Sequence, residues 1–429
     1  MKRRAFLSSL GIGSAAAIPF LSPIIGLSSP HSEPVLTALK GQLRNSTNDA
    51  DFWGAVRKAY FTGSSVINFN NGGVSPQPRL VQEAEIRETK TANEAPAYQM
   101  WRIQKPGREI VREKLARLTG CEPEEIALVR NATEALEILL LGYPLESGDE
   151  VLCTDQDYPS MINAIKQMQN RKKIVLKTIP IPVPLDDEDA LVEAFKNAIT
   201  RKTKLILMCH MINLTGQVLP VRKVVDMAHA NGLEVIVDGA HSFAHIDFKI
   251  EDLGCDYFGT SLHKWLCAPF GTGLLYIKKN KIPDIWPLFA APEEEADKMS
   301  KFEHFGTYPV PKELAISEAI DFHEAIGIKR KASRLAFLSD YWTKQVKDIN
   351  GVFFNTSFRQ GNYGAIVNFG LDGIEAPEIQ RKLFQMHRIY TISIHHDDVK
   401  GVRVSPHIYT SMEELDLLAQ AIREIALSR

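Results

Sequence analysis

Glu234-Val-Ile-Val-Asp238-Gly-Ala-His241, and the Thr260-Ser261-Leu262-His263-Lys264-Trp265 block whose lysine lies 26 residues beyond that aspartate, are the stretch on which the fold reading turns. The run 234–237 is short, apolar and uninterrupted, as expected of a strand covered on both faces. Runs of the same kind stand at 126–129, 150–153, 173–176 and 204–208. Helical patterns separate them, as at 133–141, 160–170 and 221–231. Strand alternating with helix predicts βαβ units, and hence an α/β protein with a mostly parallel sheet between helices. Ligands of such sheets gather at the carboxyl ends of the strands, so the residues that follow each run are the site candidates.

After 126–129 comes Arg130-Asn-Ala-Thr-Glu-Ala135, which opens a helix. Thr133 and the free N–H groups there suit a phosphate, although Asn or Thr before a helix also serves as a plain cap. After 150–153 comes Asp157-Tyr158-Pro159, whose tyrosine either stacks on a flat ring or packs. After 204–208 comes the polar loop His210-Met-Ile-Asn213-Leu-Thr-Gly216. Asp238 ends an apolar strand. A buried acid needs a partner, which a protonated ring nitrogen would supply, unless it merely caps a turn. Lys264 has aromatic and apolar neighbours, which can depress a lysine's pKa and make it nucleophilic. The interval from Asp238 leaves room for a hairpin or helix that returns the lysine to the same cleft.

Val237-Asp-Gly-Ala-His241, Ser261-Leu-His-Lys264 and Arg403-Val-Ser-Pro-His-Ile-Tyr409 together resemble the signature blocks of the class V aminotransferase family. These are pyridoxal-5′-phosphate (PLP) enzymes, and the likeness is greatest to the isopenicillin N epimerase-like members, from about Asn68 to the C-terminus. The resemblance implies fold type I, with a seven-stranded-type sheet in the large domain. It implies that Lys264 forms the Schiff base and shuttles a proton, while Asp238 pairs with the pyridinium nitrogen. His241 would lie near the ring hydroxyl, Tyr158 would stack on the ring and Asn213 would approach the cofactor. Ala132, Thr133, Ser261 and His263 resemble phosphate ligands. Gly306-Thr307 resembles the pair that reaches the phosphate of the neighbouring subunit, so a homodimer is implied. Arg403 would hold the substrate α-carboxylate by its bidentate fork. Asn70-Asn-Gly-Gly73, with Asn71 taken as the binding residue, matches the loop lining the substrate side.

PLP joined to an amino acid makes the α-proton acidic, and a lysine amine can remove and return it. Transamination, racemisation and β-elimination share these parts, so an aminotransferase or epimerase acting on an amino acid or amine is expected, with a C–S or β-lyase as the alternative. A non-catalytic homologue that only binds a ligand in the cleft is a further alternative, against which the intact Lys264, Asp238 and Arg403 speak. Cysteine desulfurases carry a nucleophilic cysteine shortly before the terminal arginine; here Thr391-Ile-Ser-Ile-His-His-Asp-Asp-Val-Lys400 has none, and no cysteine follows Cys267. His395 and His396 are read on a polar loop, either touching substrate or facing solvent. A hydrolase lacks support, since neither G-x-S-x-G nor H-E-x-x-H occurs.

The 429 residues and net charge of −2 suit a multidomain protein and suggest no nucleic-acid partner. Lys2-Arg3-Arg4-Ala5-Phe6-Leu7, an apolar stretch and Ser14-Ala15-Ala16-Ala17 read as a twin-arginine export signal over 1–30. Periplasmic export is therefore expected, the alternative being an uncleaved membrane anchor, with no stable membrane partner otherwise. Gly11-Ile-Gly-Ser-Ala-Ala16 follows no strand and is not read as a dinucleotide site. A linker is expected over 31–50, a large PLP-binding domain over 51–310 and a small α+β domain over 311–429. The five cysteines sit in apolar contexts without C-x-x-C spacing and are expected as free thiols.

Overall fold

The computed structural model describes Thr37, Lys40, Gly41 and residues 48–428 except Ser64. The expected signal over 1–30 lies outside the described residues, as does most of the expected linker. Among the described residues no helix is long and apolar enough to cross a membrane.

A seven-stranded sheet forms the centre of the chain, in the order β2-β8-β7-β6-β5-β3-β4. Its strands are β2 (Ile126–Val129), β3 (Glu150–Thr154), β4 (Val175–Ile179), β5 (Thr203–Cys209), β6 (Glu234–Asp238), β7 (Tyr257–Ser261) and β8 (Gly273–Ile277). All are parallel except β8, which runs antiparallel to both β2 and β7. Alternate residues enter two separate cores. Leu128, Ile206, Met208, Val235 and Val237 face one, and Ala127, Leu205, Leu207, Ile236 and Leu275 face the other. That two-sided burial is why the strands read as unbroken apolar runs.

The smaller α+β unit holds an antiparallel sheet of order β12-β13-β10-β9. It comprises β9 (Val352–Phe354), β10 (Val367–Leu371), β12 (Ile392–His396) and β13 (Val399–Val404). A short pair, β1 (Ile67–Asn68) with β11 (Ile389–Tyr390), ties the N-terminal segment to this unit, and Phe69 belongs to its core. The expected boundary at 310 is not where the cores change. Helix Ile316–Ile326 packs in the large core, and helix Ile328–Val346 contributes Leu335 to the large core and Leu338, Trp342 and Val346 to the small one. One amphipathic helix thus serves both units. All five cysteines are free thiols, four of them buried.

Two glycines decide local geometry beside the strand ends. A Cβ on Gly239 would lie 1.9 Å from the Phe258 ring, so only glycine lets the chain turn directly after Asp238. A Cβ on Gly273 would lie 2.7 Å from the Asn131 backbone. Gly273 pairs with Val129 on one side and Ser261 on the other, so its bare backbone brings the ends of β2 and β7 together.

Candidate active site

At the carboxyl ends of the parallel strands lies a cavity of about 230 Å³, whose lining includes Gly72, Gly73, Asn131, Ala132, Thr133, Tyr158, Cys209, Asn213, Asp238, His241, Ser261, His263, Lys264 and Arg403. The structure therefore gathers Lys264, Arg403 and all the sequence-derived cofactor candidates except Thr307.

At one end is an anion cradle. Asn131 caps helix Ala132–Gly142 through its Oδ1, which accepts the Glu134 N–H at 2.9 Å. The Ala132 N–H donates to Ser261 Oγ at 2.9 Å, which leaves the Ser261 hydroxyl proton to donate elsewhere. Thr133 stands in the first helical turn, where N–H groups lack intrahelical partners. His263 Nδ1 lies 3.2 Å from the Thr272 carbonyl, so its Nε2 remains for a ligand. Burial and nearby Lys264 push the His263 pKa down; a phosphate dianion would push it back up.

Asp238, in the same cavity, is buried, its Oδ1 accepting the Ala240 N–H at 2.9 Å. Its Oδ2 has only the Cys209 thiol, at 3.9 Å. Burial raises its pKa. A cationic ring N–H beside Oδ2 would restore the carboxylate. Tyr158, on the loop between β3 and the next helix, keeps 41% of its surface exposed while lining the cavity. An aromatic used only for packing would be covered; this ring has a free face for stacking. Asp157 anchors the loop, accepting from the Thr154 N–H and hydroxyl and, at 2.9 Å, from the Cys209 N–H.

Lys264 Nζ projects into the cavity 3.2 Å from His241 Nε2. Burial is the main cause that lowers the Lys264 pKa to about 8; Arg403 lowers it further and Asp238 opposes. Burial, then Lys264 and Arg403, depress His241 well below the ordinary histidine value, so its imidazole is neutral.

Arg403, at 7% exposure, ends the hairpin formed by β12 and β13. Its guanidinium donates to the Asn213 carbonyl at 2.9 Å and to Asn70 Oδ1 at 2.8 Å, and its buried Nε has no partner. No carboxylate pairs with it among the described residues, and burial lowers its pKa to about 10. A buried cation without an anion is costly, and an incoming carboxylate would relieve that cost.

Three sequence expectations need correction or relocation. Asn71 does not face the cavity. It is fully buried, donating to the Asn68 and Ser405 carbonyls and accepting from Asn68 Nδ2 and the Tyr409 hydroxyl. The cavity side of that loop is backbone at Gly72 and Gly73, with Asn70 holding Arg403. His395 and His396 lie in β12, not on a loop, and neither lines the cavity. Gly306 and Thr307 are exposed and do not line their own chain's cavity.

The residues fit PLP by their own unmet needs. The cradle offers donors to a phosphate, Asp238 Oδ2 has only a weak thiol contact and can take a ring N–H, and the Lys264 amine lines the same cavity. Buried Asn213 Oδ1 and His241 Nδ1 are also without partners.

The family model described as "Aminotransferase class-V" matches residues 67–418. The isopenicillin N epimerase of Amycolatopsis lactamdurans is 29% identical over 397 residues, covering 88% of this chain and 99% of that protein. A probable cysteine desulfurase of Synechocystis sp. is 27% identical, covering 84% of this chain and 91% of that protein. Among solved structures, the apo cysteine desulfurase of Thermococcus onnurineus NA1 superposes with a TM-score of 0.78 at 22% identity, covering 88% of this chain and 98% of that one.

Proposed function

Since the chain belongs to the class V aminotransferase family and is a PLP-dependent enzyme, we propose that it acts on an α-amino acid by proton transfer at Cα, as an aminotransferase or epimerase. The observation that carries this reading is the shared cavity of Lys264, Asp238 and the guanidinium of Arg403, which has no carboxylate partner among the described residues.

Bound PLP supplies an electron sink that acidifies the substrate α-proton. Helix Ala132–Gly142, Ser261 and His263 would hold its phosphate, and Tyr158 would hold its ring face. Asp238 Oδ2 would keep a proton on the ring nitrogen, which favours electron withdrawal. Arg403 would bind the substrate carboxylate, with Asn70 and the Asn213 carbonyl fixing the plane of its fork. Lys264 Nζ, once released from the cofactor, would take the Cα proton; its depressed pKa keeps a usable fraction neutral near pH 8. Neutral His241, 3.2 Å away, accepts a hydrogen bond from that amine without adding charge.

The epimerase side is supported by the relative of that name. The C–S lyase reading is supported by the desulfurase relatives; the hairpin without a thiol speaks against persulfide formation on the protein but not against β-elimination, which needs no nucleophilic cysteine. One experiment separates them: protein loaded with PLP is incubated with L-amino acids in D₂O and followed by NMR and chiral chromatography. Deuterium at Cα with D-isomer means epimerisation, keto acid means transamination, and sulfide from cysteine means a lyase. No exchange with any amino acid contradicts the reading.

We also propose a homodimer, supported by the family resemblance of Gly306-Thr307 and by their exposure outside the lining of their own chain's cavity. Light scattering tests it. Export is proposed on the Lys2-Arg3-Arg4-Ala5-Phe6-Leu7 start alone, and cell fractionation tests that.

A further inference from the structure

The turn that carries Lys264 has four consecutive carbonyls, and all four are engaged. Leu262 O accepts from the Ala268 N–H at 3.1 Å, His263 O from the Ser75 N–H at 3.1 Å and Lys264 O from the Cys267 N–H at 3.3 Å. Trp265 O accepts from two side chains, the Nζ of Lys331 and, as a longer and weaker contact, the Cys267 thiol at 3.9 Å. Lys331 comes from helix Ile328–Val346, the element shared by the two cores.

Lys331 is 2% exposed. Its Nζ lies 3.4 Å from His323 Nδ1, and among the described residues neither its bonds nor its electrostatic neighbours include a carboxylate. Cys267, His323, His245 and His407 are the titratable groups around it. Burying an amine with no counter-ion is destabilising, and burial lowers its pKa to about 8. An apolar residue would fill this space at less cost, so the polar tip calls for a reason.

The Trp265 ring is held as well. His245 stacks on it with centroids 3.7 Å apart, and His407 stacks at 5.3 Å. The neutral His245 ring also bridges: Nδ1 donates to the His241 carbonyl at 2.8 Å, and Nε2 accepts the Ala365 N–H at 2.7 Å. Trp265 is thus gripped by its ring and by its carbonyl, immediately after the lysine in the cavity.

We propose that Lys331 is a positioning residue: by holding the Trp265 carbonyl it fixes the turn that aims Lys264 Nζ at the cofactor and at His241. This rests on the reading of Lys264 as the lysine that captures PLP.

The test compares K331M with L338A, a core truncation on the same helix chosen to give a similar loss of thermal stability. PLP is the probe. Its capture rate is followed by visible absorption at about pH 9, above the Lys264 pKa. The visible circular dichroism of the bound cofactor reports its orientation. K331M is expected to capture PLP at least about tenfold more slowly, the scale of penalty for a slightly misplaced reacting atom. It should also lose or invert the dichroic band, while L338A keeps both. A K331M protein with normal rate and dichroism, or an L338A protein impaired equally, overturns the proposal. Should K331M not fold, K331Q, too short to reach the carbonyl, is read against the same control. If the unsubstituted protein captures no PLP at Lys264, the parent reading fails; a normal parent with unaffected variants fails only this inference.

Discussion

Lys264 Nζ stands 3.2 Å from His241 Nε2, inside a cavity where burial depresses the pKa of both groups. Two bases in contact cannot both hold a proton at low cost, and the neutral imidazole leaves the lysine as the group that titrates near pH 8. PLP capture requires the neutral amine. The capture rate should therefore rise about tenfold per pH unit below 8 and level off above it. Stopped-flow absorption checks this. A rate that keeps climbing past pH 10 would mean a lysine with ordinary affinity for its proton.

Arg403 is expected to act on binding. Its replacement by alanine removes charge-assisted bonds of about 1.5–3 kcal/mol, so KM for amino acids should rise roughly ten- to a hundredfold. Amines without a carboxylate should be little affected. Steady-state kinetics on matched acid and amine pairs decides; an equal effect on both would assign Arg403 to the scaffold.

Asp238→Asn should still allow Lys264 to capture PLP but should slow Cα-proton exchange by at least about a hundredfold, or about 2.7 kcal/mol of barrier. The amide cannot stabilise a charged ring nitrogen. Deuterium exchange followed by NMR provides the measurement, and an unimpaired D238N would remove Asp238 from its assigned role.

Asn71→Ala should act on stability. It removes the side-chain donor from the Asn68 carbonyl and the acceptor from the Tyr409 hydroxyl proton, while the Ser405 carbonyl keeps the residue-71 N–H, a loss of about 1–3 kcal/mol by the cost of unmet buried groups. Urea unfolding checks it, and a protein of unchanged stability with lost substrate affinity would return Asn71 to the substrate side.

The parallel sheet and the strand-end residues were legible because two-sided burial leaves a local trace: an apolar run followed by a polar turn. Asp238, Tyr158 and Thr133 could be placed on that logic alone. The antiparallel β8 left no such trace, since Gly273–Ile277 reads like any other apolar run and its direction is set by pairing. The return strand near 401–404 is legible, whereas 391–400 reads as a polar loop because its His395-His396-Asp-Asp turn masks the short alternation of β12. Asn71 and Asn70 are neighbours whose roles depend on which way each side chain leaves the loop. Lys331 sits in Ile328-Lys-Arg-Lys331, a basic run indistinguishable in sequence from a solvated helix face. Only the packing of that helix on Trp265 buries it.

The most direct test of the central claim is borohydride reduction of the PLP-treated protein, followed by peptide mapping. The account predicts a pyridoxyl group on Lys264, and on no other lysine, together with loss of labelling in K264A. A label on another lysine, or a K264A protein that is still labelled at the same site occupancy, would contradict it.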